Sequence, residues 1–310
     1  MTVAELFREE RFDEAWAALR ERALRTSDYT EFLSLCRWRK RLAERAPRPA
    51  CARTVRIALL GGATTELLEA PLVLSVEALG LGCEIHASEY NTFVREMLEP
   101  GSSTVAFRPD VAVVVNTPAN VPSWPRPGDG LERVRELVDE GCRYWLGLCA
   151  ALREHVPCEI VLNNFHPLAA RPLGNLGARL AWDPNNFLRR LNRELGDRAP
   201  AYVHLNDVES LSAQHGVDRW FDARFWFHAK HPVSFECSIA YVRNTARIIG
   251  ALFGRTAKCL VLDLDNTLWG GIIGEDGLDG IRLGEDYPGA VYRDLQKAVL
   301  DLRARGILLA

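Results

Sequence analysis

The chain reads as an α/β protein: a three-layer, doubly wound parallel sheet with helices on both faces, followed by the start of a second α/β unit. Three features argue for this. From Val55 onward, short continuous apolar segments alternate with longer segments of helical period, and strands that are apolar on both sides belong to parallel sheets buried between helices. The 310 residues, 48% of them hydrophobic, allow one large core or a domain of roughly 200 residues with flanking pieces. A fresh apolar segment, CLVLDLD, then starts soon after a long helical stretch that Gly254 is placed to end.

Taken in order, the first 25 residues set apolar and charged side chains three or four positions apart, the pattern of an amphipathic helix and not of a signal peptide. Thr26, Ser27 and Asp28 supply stop and N-cap chemistry before a second helix, and the basic, proline-containing RLAERAPRPACAR reads as a linker. Residues 1–53 are therefore expected to form a helical arm and linker. Residues 54–254 follow as the large α/β domain. Its strands are VRIALLGG, CEIHASE, VAVVVN, EIVLNN and AYVHLND. Between them run helical stretches through LLEAPLVLSVEALG, NTFVREMLE, LERVRELVDEGCRYWLGLCAALREH and DPNNFLRRLNRELG, and VSFECSIAYVRNTARIIGALFG closes the domain. Residues 255–310 open the second unit, with a helix through PGAVYRDLQKAVLDLRARG and the start of another strand at ILLA.

Composition excludes several classes. With 38 basic and 41 acidic residues and a net charge of -3, the chain has no field to draw nucleic acid or an anionic membrane. No segment approaches the roughly 18 apolar residues needed to cross a bilayer. The eight cysteines form no CxxC pair, which points to buried free thiols and a cytoplasmic location. Cys237, near Lys230, is the one placed best to carry an acyl group.

The chemistry concentrates where CLVLDLD runs into NTLWGG. Asp263 and Asp265 can both project at the carboxyl end of that strand, where functional loops of such sheets lie. Two acids there repel each other unless a divalent cation sits between them and a phosphate, and hard oxygen ligands suit Mg²⁺. An acidic pair ending a strand as turn material is the plain alternative.

The string DLDNT resembles the DxDxT signature of the haloacid dehalogenase (HAD) superfamily of phosphotransferases, and LVLDLDNTLWGGIIGEDG is similar to its FkbH-like branch. The resemblance implies that Asp263 is the nucleophile that becomes an aspartyl phosphate and Asp265 the general acid and base. It implies Mg²⁺ held by the Asp263 carboxylate and the carbonyl of Asp265, with Thr267 supporting the loop. It further implies removal of phosphate from a phosphorylated three-carbon donor, 1,3-bisphosphoglycerate, and loading of the glyceryl unit onto an acyl carrier protein in polyketide-type biosynthesis. The superfamily's later motifs, a serine or threonine, a lysine and one or two aspartates, do not fall within 255–310. The chain therefore reads as an incomplete HAD unit, expected to have little phosphatase activity by itself.

In the FkbH-like branch an SGNH-hydrolase-like domain precedes the phosphatase-like one, and LLGGATTELL resembles the SGNH block that carries the nucleophile. The resemblance places Thr65 at that position, Asn116 or Asn120 near the oxyanion-hole asparagine, and His231, in FHAKHPVS, as the base. The aspartate that orients the base is replaced by His228. An ester hydrolase or acyltransferase using Thr65, Asn116 and His231 is thus one alternative function. A non-catalytic carrier-protein-binding module is another. Asp222, Arg224 and Lys230 can hold an acidic group or form surface salt bridges, and His166 and His204 read as satisfied structural histidines.

Overall fold

Valine and isoleucine runs buried on both faces make the central strands. In VAVVV, Val111–Val115, all five side chains are buried, which is what a strand between two helical layers requires. The computed structural model describes residues 1–51 and 53–310, and Ala52, inside the predicted linker, lies outside the described residues. The chain divides into two compact units, Met1–Gly254 and Arg255–Ala310.

The first unit begins with α1 (Val3–Arg8), α2 (Phe12–Arg25) and α3 (Tyr29–Arg45). Thr2 and Glu5 form a reciprocal capping box at α1, and the Asp28 carboxylate accepts from the amide of Glu31 at 2.6 Å to cap α3. The single helix expected over the first 25 residues is two. Glu10 takes φ +58°, and the turn it makes sets Phe7 edge-on to Phe12, with ring centroids 5.7 Å apart. The arm shares a core with the helices beyond it: Trp16, Leu19, Phe32 and Leu42 pack with Leu74 and Ile239.

After the arm come β1 (Thr54–Gly61), α4 (Glu66–Ala78), β2 (Gly82–Ala87), α5 (Phe93–Leu98), α6 (Ser103–Phe107), β3 (Val111–Val115), α7 (Leu131–His155) and β4 (Glu159–Asn163). The unit continues with α8 (Pro184–Arg198), β5 (Val203–Asn206), α9 (Val208–His215), α10 (Val217–Trp220), α11 (Ala223–Ala229) and α12 (Phe235–Leu252). The five strands form one parallel sheet in the order β2-β1-β3-β4-β5. Alternate strand residues face alternate layers. Ile57, Leu59, Val113 and Val161 pack with Leu72, Val76, Val242 and Ile249 of α4 and α12. Leu60, Val114, Ile160 and Leu162 pack with Trp145, Phe187 and Leu191 of α7 and α8. This is the three-layer, doubly wound arrangement read from the sequence. Strand order reverses between β1 and β3, so the loops leaving those strands part at their carboxyl ends, where such sheets bind ligands.

The second unit holds β6 (Cys259–Leu260), α13 (Ile273–Gly280), α14 (Gly289–Ala304) and β7 (Leu308–Leu309). β6 and β7 pair in parallel, with α14 between them in sequence. The strand read as running to Asp265 forms its ladder only where β7 lies beside it, extended by one bond from the amide of Leu262 to the carbonyl of Ala310 at 2.8 Å. α13 is interrupted at Gly277, where φ is +66°.

Candidate functional site

In the second unit the chain past β6 turns on itself. Asn266 takes φ +54°, and its side-chain carbonyl accepts from the amide of Gly271 at 2.8 Å. This knot fixes Asp265. Its Oδ1 accepts from the indole N–H of Trp269 at 2.9 Å and from the amide of Ile273 at 3.2 Å. Asp263 is exposed, and its Oδ1 accepts from the neighbouring amide of Leu264 at 2.8 Å. The amide of Thr267 donates to the carbonyl of Leu264 at 3.2 Å, closing the same turn. The loop thus holds one carboxylate in a hydrogen-bonded seat and leaves the other open to solvent. Mg²⁺ is held by one or two carboxylates plus waters and substrate phosphates, and this donor set fits that kind of site. Among the described residues no group of three His, Cys, Asp or Glu side chains makes an all-protein cage.

At the carboxyl edge of the larger sheet, Asn116 directly follows β3 while Asn163 and Asn206 end β4 and β5, and the parallel register sets Asn163 beside Asn206. Asn116 and Asn163 exchange side-chain-to-backbone bonds: the Asn116 amide donates to the carbonyl of Asn163 at 3.1 Å, and the Asn163 amide to that of Asn116 at 3.3 Å. Asn163 Oδ1 accepts from Asn206 Nδ2 at 2.8 Å and from the Tyr241 hydroxyl at 3.2 Å. Oδ1 of Asn116 is buried without a partner among the described residues. The ladder fixes the β3–β4–β5 edge and ties it to α12.

Thr65, Asn116 and His231 are all buried, at 4%, 2% and 2% exposure. His231 donates from Nδ1 to the carbonyl of Val233, while its Nε2 is buried and has no partner among the described residues. Burial holds both His231 and His166 below the ordinary imidazole range, the bonds to the Val233 and Pro167 carbonyls opposing the shift. The parting between β1 and β3 is filled from within: Asn120 Nδ2 donates to the carbonyl of Gly62 at 3.1 Å. His228 is exposed. Arg224 is occupied by a two-point pair with Asp222 at 3.1 and 2.7 Å, and Lys230 lies over the rings of Trp226 and Phe227. His204 pairs with Glu159 at 2.7 Å. Cys237 is buried, and burial raises its thiol pKa. That removes the access and the thiolate an acyl carrier would need.

Beside the filled parting, on the β3–β4 side, lies a cavity of about 580 Å³. Thr117, Trp124, His166, Leu168, Phe221 and Trp226 are among its lining residues; Thr65, Asn116 and His231 are not. His166, read from the sequence as structural, is the buried titratable side chain at this cavity. The signal was its place just after EIVLNN, at a strand's carboxyl end.

A doubly wound α/β domain, continued in sequence by a second α/β unit that opens on an acidic strand end, sets the class of protein. Residues 56–249 match the family described as "FkbH, N-terminal domain", and the chain belongs to the FkbH family. Among solved structures it is similar to the "N-terminal part of the protein BF1531 from Bacteroides fragilis containing phosphatase domain complexed with Mg". That likeness runs at 25% identity with a TM-score of 0.71, over 83% of this chain and 68% of the other. No curated protein matches the chain.

Proposed function

We propose that the protein serves Mg²⁺-dependent phosphoryl chemistry of the HAD type, with Asp263 as nucleophile and Asp265 as general acid and base. The observation that carries the reading is the contrast between them: Asp263 stands open to solvent, while Asp265 is seated on the Trp269 indole and the Ile273 amide. An attacking group has to reach phosphorus, whereas a proton-transfer group has to be oriented. The described solved structure, a phosphatase-domain protein complexed with Mg, supports the same metal here.

In the proposed reaction an Asp263 oxygen attacks the phosphorus of a three-carbon phosphate ester. The ester P–O bond breaks, and Asp265 gives its proton to the departing glyceryl oxygen. Asp265 then takes a proton from the water that hydrolyses the aspartyl phosphate. Bound Mg²⁺ supplies charge neutralisation for the phosphoryl oxygens. Loading begins from 1,3-bisphosphoglycerate, when a carrier-protein thiol attacks the acyl-phosphate carbonyl and releases phosphate. For the carrier protein, a groove walled by α7 and α8 offers exposed Arg135, Arg179, Arg189, Arg190 and Arg193, a charge pattern that complements an acidic partner.

Metal binding tests the reading without depending on turnover. Mn²⁺, followed by paramagnetic resonance as a stand-in for Mg²⁺, is expected to occupy one site that Mg²⁺ displaces and Asp263→Asn weakens at least about tenfold. Binding unchanged in that variant contradicts the assignment.

The rival hydrolase built on Thr65 and His231 draws less support. Both groups are buried, neither lines the cavity, and His231 has the Val233 carbonyl where an orienting carboxylate belongs.

A further inference from the structure

The 580 Å³ cavity at the β3–β4 edge has the size of a small-molecule site, and the phosphoryl chemistry above makes no use of it. Its walls are mainly apolar. Trp124 comes from the loop after β3, Leu168 from the loop after β4, Phe221 from the loop after α10, and Trp226 from α11. α11 buries none of its own side chains, so the wall it forms is not committed to the core. Asp218, the charged lining residue, is exposed.

One lining side chain is out of place among these. His166 is 4% exposed and stacks on Phe221, with ring centroids 5.7 Å apart. Its Nδ1 lies 3.0 Å from the carbonyl of Pro167. A carbonyl accepts only, so the hydrogen is assigned to Nδ1 and Nε2 carries the lone pair. That Nε2 is buried and, among the described residues, has no hydrogen-bond partner. A buried acceptor left unpaired costs stability, and a hydrophobic side chain would fill the same space without the cost.

We propose that the cavity binds a neutral, mainly apolar molecule bearing a hydroxyl group, which donates its hydrogen bond to Nε2 of His166. The chemistry of the walls narrows the ligand. A charged donor would lose its hydration against Trp124, Leu168 and Phe221. A thiol is a weak donor to a ring nitrogen. An alcohol has the apolar body that the walls cover and the single strong donor that Nε2 lacks. This inference concerns the first unit alone and stands or falls independently of Asp263.

The test is a matched series on the full chain, read by tryptophan fluorescence and calorimetry: 1-hexanol, its methyl ether and hexanoate. The alcohol is expected to bind about tenfold tighter than the ether, and hexanoate weakest of the three. His166→Phe is expected to abolish the preference for the alcohol while keeping affinity for the ether. In the unmodified protein, hexanol should shift the nitrogen resonance of His166 Nε2, a readout that needs no variant to fold. Equal binding of alcohol and ether overturns the proposal. So does a preference that survives in His166→Phe, binding of hexanoate as tight as hexanol, an unmoved Nε2 resonance, or no binding at all.

Discussion

A Cβ built on Gly62 would fall 2.6 Å from the Asn120 carboxamide carbon, so this contact holds the loop after β1 against the loop after β3. Only hydrogen at Gly62 lets Asn120 reach across from the loop after β3 to the Gly62 carbonyl. Gly62→Ala is therefore expected to destabilise the protein by about 1–3 kcal/mol through overpacking. Adding Asn120→Ala should return part of that loss in urea unfolding; a neutral Gly62→Ala would show that the contact does not constrain the loop. The two buried histidines act on stability through protons. Burial holds His166 and His231 below the 6.5 of an unperturbed imidazole, so near that pH the unfolded chain binds protons that the folded chain refuses. Stability is then fully present above about pH 6.5 and falls as the pH drops below it, by up to about 1.4 kcal/mol per pH unit for each histidine. His231→Gln should flatten the decline in melting temperature between about pH 7 and pH 5.5. An unaltered slope would mean that His231 charges freely in the folded state.

Between elements, the joint of the arm is the most informative. Arg39 of α3 makes a two-point pair with Glu77 of α4 at 2.7 and 2.6 Å, with side-chain exposures of 17% and 8%. Arg39→Met leaves Glu77 buried with Arg48, 3.6 Å away, as its remaining ion-pair partner among the described residues, and is expected to cost about 3 kcal/mol in urea unfolding. Arg39→Met combined with Glu77→Gln should recover much of it; a loss below about 0.5 kcal/mol for the single change would mean that the pair behaves as a surface contact. The strands were legible from β3 and β4, whose apolar runs VAVVV and IVL lead into asparagine, and from the alternation of short segments with helical stretches; β1, β2 and β5 are interrupted by Arg56, by Glu84 and His86, and by His204. The break between α1 and α2 was not, because Glu10 adopts a left-handed turn that no glycine or proline announces. The asparagine ladder was half visible: Asn116, Asn163 and Asn206 each follow or end an apolar run, yet only the register Asn163 to Asn206 shows that they join. The cavity was not legible at all. Trp124, His166, Phe221 and Trp226 come from separate loops and a short helix, and no sequence period links them.

At the scale of the molecule, the two units divide the chemistry unequally. The first has a doubly wound sheet whose threonine and histidine candidates are buried, beside an apolar cavity lined by His166, whose Nε2 has no partner among the described residues. The second has an open Asp263 next to a seated Asp265, and the chain belongs to the FkbH family. The central claim is that phosphoryl transfer passes through Asp263. The measurement that bears on it most directly is the site of tritium after the protein meets Mg²⁺ and 3-phosphoglycerate and is quenched with tritiated borohydride, which reduces an aspartyl phosphate to homoserine with release of phosphate; the site is mapped by peptide mass. Because the later superfamily motifs do not fall within 255–310, a single trapped event is a better readout than steady turnover. Label on Asp263 that requires Mg²⁺, disappears in Asp263→Asn and is indifferent to His231→Gln is the predicted result. Label on a different carboxylate, label that persists in Asp263→Asn, or no label under any of these conditions would contradict it.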